Sequence, residues 1–287
     1  MKKRMGLLVV LLIIVVTGCD NRTKKAVKTN EQATRIVVAS ADSDAQIWQF
    51  IADSPAAKKA GLEIKVNEIT GGPQLNNAVV EGQADVNAFQ SLGYLLSFNK
   101  DSQEELAPLA TTYIEPMGIY SKEYHSVADV KEGAVIALAD NPANTARGLR
   151  LVESAGLIKL TDTFDPGTGT PSDIVANPKK LSFKLIDDTT GPRILQDVDA
   201  ALISNTVAFE GGLNVLTDAI FKEEVNETTK LSINVLAAKK DRIADATLQK
   251  LANLYHSQEV KAYIDKEFGG TKVDVQKNTQ KLWEEIQ

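Results

Sequence analysis

The chain is poor in the residues that carry covalent and metal chemistry: it holds one cysteine, Cys19, and two histidines, His125 and His256. A lone cysteine leaves no disulfide within the chain, so a fold of this length must be held by its core. A Cys–His nucleophile pair and a His-based metal site both lack material. His125 follows Lys122-Glu123-Tyr124 in a turn and His256 ends an amphipathic helix, so both are expected at the surface. Acid pairs such as Asp187-Asp188 and Glu284-Glu285 are sequence neighbours that do not present two carboxylates to one cleft, and they read as solvated surface. No catalytic residue, metal or cofactor is expected.

Long apolar runs are equally scarce. The one candidate lies between Gly6 and Val16, about a dozen residues where a helix crossing a bilayer needs roughly twenty. It is preceded by Met1-Lys2-Lys3-Arg4 and followed by small residues, the pattern of a cleavable export signal over residues 1–18. Val16-Thr17-Gly18-Cys19 resembles the lipobox of bacterial lipoproteins, which implies lipidation of Cys19 and anchoring on the extracytoplasmic face of a cell membrane. Two acyl chains anchor stably where one binds only marginally. Residues 19–34 are polar and without periodicity, the composition of a flexible tether.

Basic charge is short too. Loss of Lys2, Lys3 and Arg4 with the signal would leave 29 of the 32 basic residues against 38 acidic ones, a mature net charge of −9. Such a balance argues against nucleic acid, whose binding needs clustered Lys and Arg. It says little about a small ligand.

From Arg35 onward, β-branched runs alternate with amphipathic stretches, the signature of βαβ units with mostly parallel sheets. Strands are expected at 36–38, 62–66, 84–87, 134–138, 181–185, 200–203 and 231–236, with helices near 44–60 and 74–81. Asn141-Pro142 opens another helix that runs to about Ser154 and stops at Gly156. The stretch from Asp241 to Gln287 is mainly helical, with Ile243, Leu248, Leu251, Leu254 and Tyr255 on one face. The glycines of 165–171 are no phosphate loop, because no Gly-Lys-Ser/Thr follows and no strand feeds them.

Several phrases together resemble the NlpA family of substrate-binding lipoproteins. They are Gly82-Gln83-Ala84-Asp85-Val86-Asn87-Ala88-Phe89-Gln90, Glu115-Pro116-Met117-Gly118-Ile119-Tyr120-Ser121, and Asn141-Pro142-Ala143-Asn144-Thr145-Ala146-Arg147-Gly148-Leu149 with Gly156-Leu157-Ile158-Lys159-Leu160. Order and spacing match over nearly the whole mature chain. The resemblance implies an α/β fold of the type II periplasmic-binding-protein kind, two α/β lobes joined by two crossovers with a ligand cleft between them. Lobe 1 would comprise 35–115 plus 230–287, and lobe 2 residues 116–229. It also implies a monomer that captures an amino acid such as methionine for an ABC permease and its ATPase.

A free amino acid brings a carboxylate, which a guanidinium and helix N-terminal N–H groups hold best. Arg147 and Asn144, on one face of the same helix, match the family's ligand-contacting positions. Read alone, Arg147 is a surface residue paired with Glu153 or Asp140, and Asn144 a helix-start cap. Asn205, just after the 200–203 strand, and Asn76 match further family asparagines. Phe89, Tyr94 and Tyr113 are the aromatic candidates for an apolar side chain. Three places depart from the family: Ser91 stands where a His is usual, Gly71-Gly72 replaces an aromatic pair, and Ser43-Asp44-Ala45-Gln46 replaces a His-containing turn. These exchanges leave open a pocket enlarged for a dipeptide or another amino acid. A surface adhesin keeping the same fold is the other reading, against which stands the retained Asn144/Arg147 pair.

Overall fold

The computed structural model describes residues 33–102, 105–224 and 226–287. The export signal, Cys19 and nearly all of the tether lie outside the described residues. Ala33–Gln287 form one compact unit, and no helix among the described residues is long and apolar enough to cross a membrane.

The chain first lays down β1 (Thr34–Ser40), helices α1 (Asp42–Asp53) and α2 (Pro55–Lys59), β2 (Leu62–Glu68), α3 (Gly72–Val80), β3 (Val86–Ser91), α4 (Leu92–Asp101), β4 (Leu106–Thr111) and the short β5 (Tyr113–Ile114). Ser54 separates α1 from α2, where the sequence suggested one helix. Its hydroxyl accepts from the Ala57 N–H at 3.1 Å, a cap that starts a new helix at Pro55.

The second part comprises β6 (Gly118–Tyr120), β7 (Val135–Ala139), α5 (Pro142–Ser154), β8 (Lys159–Leu160), β9 (Ile174–Ala176), β10 (Ser182–Ile186), α6 (Gly191–Ile194), β11 (Ala200–Ile203), α7 (Asn205–Glu210) and β12 (Phe221–Lys222). The chain then returns through β13 (Asn234–Lys239), α8 (Ala246–Tyr255), α9 (Gln258–Phe268), β14 (Val273–Asp274) and α10 (Thr279–Ile286).

These strands form two five-stranded sheets, β2-β1-β3-β13-β4 and β10-β7-β11-β6-β12. Each has a parallel trio at one end, with β1 flanked by β2 and β3, and β7 flanked by β10 and β11. β13 pairs antiparallel with both β3 and β4, and β6 antiparallel with β11 and β12. Helices cover both faces of the first sheet. Ile36 and Val38 pack under Trp48, Leu248, Leu251 and Phe268, while Ala39 faces Leu75, Val79, Leu95 and Trp283. That alternation follows from the two-residue period of a strand. The C-terminal helices therefore cover the first lobe, as their apolar face suggested.

Two connections pass between the sheets: 115–117 from β5 to β6, and the return from β12 to β13, of which 223–224 and 226–233 are described. In parallel α/β sheets, ligands sit beyond the carboxyl ends of the strands. Here those ends face each other. β1 and β3 lead to Ser43 and Ser91 on one side, and β7, β10 and β11 to Asn141, Asp188 and Asn205 on the other. The Ser43 and Thr206 hydroxyls meet at 3.4 Å across the gap.

Candidate functional site

Helix α5 carries the centre of the site. The Asn141 side chain accepts from the Asn144 N–H at 2.9 Å and Pro142 occupies the first turn, so the start is fixed by local sequence. Asn141 is thus the cap, and the side chain of Asn144 is released for other work. It donates to Asp188 at 3.2 Å, as does the Asn141 amide at 2.8 Å. Asp188 is therefore not the solvated residue the sequence suggested. It is half-buried in the wall between the lobes, and burial pushes its carboxyl above the usual range despite the bond from Asn144. Its neighbour Asp187 is exposed.

Arg147, one turn further along, pairs with neither Glu153 nor Asp140. Its Nε donates to both carboxylate oxygens of Glu223, at 3.1 and 3.2 Å, and its Nη2 to Glu223 and to the Glu115 carbonyl at 2.7 Å. Glu153 is taken by Arg150 at 3.0 Å. Burial opposes the charge on Arg147, but Glu223 outweighs it and raises the pKa. Asn144 and Arg147 line a cavity of about 650 Å3 together with Ser91, Phe221 and Glu223. Its walls come from both lobes and from the returning crossover.

The remaining candidates fall into three further groups. Asn205, 2 % exposed, opens α7 and donates to Glu115 at 2.8 Å and to the Thr271 hydroxyl at 3.1 Å, while its Oδ1 has no partner among the described residues. Tyr113 lies in the same cluster, with its hydroxyl on Asp44 at 2.9 Å and its ring 4.0 Å from the Lys272 ammonium. Asn76 bonds with Asn87 and Gln90 in a closed amide network at 2.6 to 2.9 Å, so its polar atoms are satisfied within lobe 1. Phe89 and Tyr94 form an edge-to-face pair with centroids 5.6 Å apart.

Tyr94 answers the question posed by Gly71-Gly72. A Cβ on Gly72 would lie 2.2 Å from the Tyr94 hydroxyl and 3.2 Å from Phe89. Space left by the missing aromatic pair is thus filled at Gly72 by rings from α4 and β3. The phenol also faces lobe 2: burial, then Asp188 and Asp140, push its pKa up to about 12.

Glu115, Lys272, Glu223 and Asp188 were not among the candidate residues. Glu115 had a signal, since it is the one charged residue in 106–121 and was bound to be buried with a partner. That partner, Lys272, is 1 % exposed at the side chain and bonds Glu115 at 3.0 Å and Thr206 at 3.1 Å. Burial pushes the Glu115 carboxyl up, yet Lys272 and the bonds from Asn205 and Thr206 hold it below the usual carboxylate range. Asn234, 8 % exposed and paired with Ser91 across β13 and β3, was hidden inside an apolar run. His256 is another correction. Half-buried rather than exposed, it bridges Asp274 at 2.6 Å and the Thr111 carbonyl at 3.0 Å.

The geometry is that of two α/β lobes holding a guanidinium, amides and aromatic rings at the facing ends of their strands. Residues 36–276 match the sequence profile of the NlpA lipoproteins. The chain is 31% identical over 271 residues to the probable D-methionine-binding lipoprotein MetQ of Pasteurella multocida, covering 93% of this chain and 96% of that one. It superposes with a TM-score of 0.79 on a nutrient-binding protein of Burkholderia cenocepacia bound to methionine, 35% identical, with 83% and 99% of the two chains covered. For the substrate-binding protein of a methionine transporter from Streptococcus pneumoniae the TM-score is 0.77, at 32% identity with 84% and 96% covered. Fold, cleft and sequence thus agree, and the chain belongs to the NlpA lipoprotein family.

Proposed function

We propose that this protein is the lipid-anchored receptor of an ABC importer, which captures an amino acid, methionine or a related compound, and hands it to a membrane permease. The observation that carries this reading is the half-buried guanidinium of Arg147, held at the wall of an interlobe cavity one turn into a helix whose start faces the same gap. Helix N-termini and arginine are the two commonest devices for holding a carboxylate. In this reading Asn144 and Asn205 supply amide contacts, Phe89, Tyr94 and Tyr113 the apolar surround, and Asn76 stiffens the wall behind them. Methionine-binding relatives support the choice of ligand. Cys19 carries the lipid that keeps the receptor beside its permease.

A melting-curve screen of the full-length lipoprotein in detergent tests the proposal, after denaturation and refolding to strip carried-over ligand. The probes are the twenty amino acids and short methionine-containing peptides. A ligand at a hundred times its dissociation constant stabilises the fold by about 2.7 kcal/mol. Methionine or a related amino acid is expected to raise the melting temperature, and Arg147→Ala to abolish that rise. A curve that no probe moves would leave the adhesin reading in its place.

A further inference from the structure

Arg147 reaches the cavity already accompanied by an anion. Glu223 accepts from its Nε and Nη2, and Glu223 is itself fixed by the Met117 N–H at 3.2 Å. The side chains are 13% and 12% exposed, and both residues line the same cavity. The bonds to Glu223 and to the Glu115 carbonyl run through Nε and Nη2. A second acid, Glu115, is balanced in turn by Lys272 at 3.0 Å. Arg147 and Glu223 therefore cancel as a pair before any ligand arrives.

A cavity built this way treats ligands differently according to net charge. A zwitterion brings its own counter-charge, whereas a carboxylate without an ammonium would set two anions on one guanidinium in a partly desolvated place. Like charges brought together at a buried site are the usual means of refusing a wrong partner. We propose that Glu223 is a specificity-determining residue, which cancels the charge of Arg147 so that the site accepts zwitterionic amino acids and rejects the corresponding simple acids. The inference rests on the amino-acid reading of the site and deepens it. Glu223 acts in it through charge, and not only by holding the arginine in place.

The test compares L-methionine with 4-(methylthio)butanoate, the same skeleton without the ammonium, by calorimetry on the full-length lipoprotein in detergent. The wild type is expected to bind methionine at least about 100-fold more tightly than the acid. In Glu223→Gln, which keeps the shape and removes the charge, that ratio should narrow by about tenfold or more, with the acid gaining affinity. Glu223→Asp keeps the charge and should preserve the ratio to within about threefold. If Glu223→Gln melts below the assay temperature, Glu223→Ser, whose gap water can fill, is read the same way. A ratio unchanged in the neutral variants, with both affinities falling together, would mean that Glu223 only shapes Arg147 and would overturn the inference. So would a wild type that takes the acid as well as methionine. Binding of neither probe by the wild type would instead bring down the amino-acid reading and this inference with it, a result visible before any variant is made.

Discussion

The surroundings of Asp44 make it a pH-dependent element of the fold. Its carboxyl is 5 % exposed, accepts from Tyr113 and lies 4.0 Å from Lys272. Burial raises its pKa to about 6; Lys272 opposes that rise and Glu115 adds to it. A carboxyl raised in the folded state favours folding when protonated. Its contribution is complete below the unfolded value near 4 and lost as pH rises through about 6. A rise of that size is worth roughly 3 kcal/mol between the two ends of this range. Asp44→Asn keeps an acceptor for Tyr113 and removes the titration. It is expected to raise the melting temperature at pH 8 and to flatten the rise that the wild type shows between pH 7 and 5, as calorimetric melts would record. At this scale the sequence was readable where a residue's role is set by its neighbours in the chain, as for the cap at Asn141. Arg147 was recognisable within its phrase, but its partner lies 76 residues away and depends on how β12 approaches α5. Charge alone offered Glu153 and Asp140 as equals.

The packing of β3 and α4 against the start of α3 shows how one element compensates for another. Gly72, the first residue of α3, is required because Tyr94 lies over it. Gly72→Ala is compatible with the helix, where Ala is the better former by up to about 1 kcal/mol. The methyl group would nevertheless displace the tyrosine ring. The expected result is a melting temperature within a few degrees of the wild type and a loss of methionine affinity of about tenfold, measured by calorimetry. A variant with unchanged affinity would remove Tyr94 from the ligand wall. Elements made by local pattern were legible, including the strand at 200–203 and the stop at Gly156, whose φ of +75° needs no side chain. β13 was not placed well: it begins at Asn234, three residues later than its apolar run suggested, because residues 227–232 wind into a 3-10 turn first. Nor does periodicity reveal that β13 enters the first sheet antiparallel between β3 and β4, since long-range pairing leaves no local mark.

Across the whole molecule, one lysine connects parts that sequence keeps far apart. From the segment after α9, Lys272 reaches Glu115 on the first crossover and Thr206 at the start of α7, while its ammonium lies over the Tyr113 ring. Removing one member of a buried pair leaves the other charge uncompensated, a loss of about 3–5 kcal/mol. Lys272→Met is expected to lower stability by that amount in denaturant titrations, and Glu115→Gln added to it should recover part of the loss. If the single variant melts as the wild type does, the cluster is not a structural clasp. The α/β class was evident from alternation, but the mostly parallel sheet it suggested is only half so, since each five-stranded sheet has two parallel and two antiparallel pairings. This clasp was not evident, because a Gly-Gly-Thr-Lys stretch looks like any surface turn until the helices around it are packed.

With Arg147 holding the ligand carboxylate as proposed, its bonds to Glu223 and to the Glu115 carbonyl would also set when it acts. Both partners belong to the segments that run between the sheets, where a rotation of one lobe against the other would have its pivot. Displacement in a rotation grows with distance from its axis, so a group fastened beside the pivot would scarcely move while groups further out travel. The carboxylate end of a ligand would then be held first, with the cleft still open, and the parts of the wall further from the axis would arrive second. Capture in that order lets a molecule with the wrong tail leave before the lobes meet.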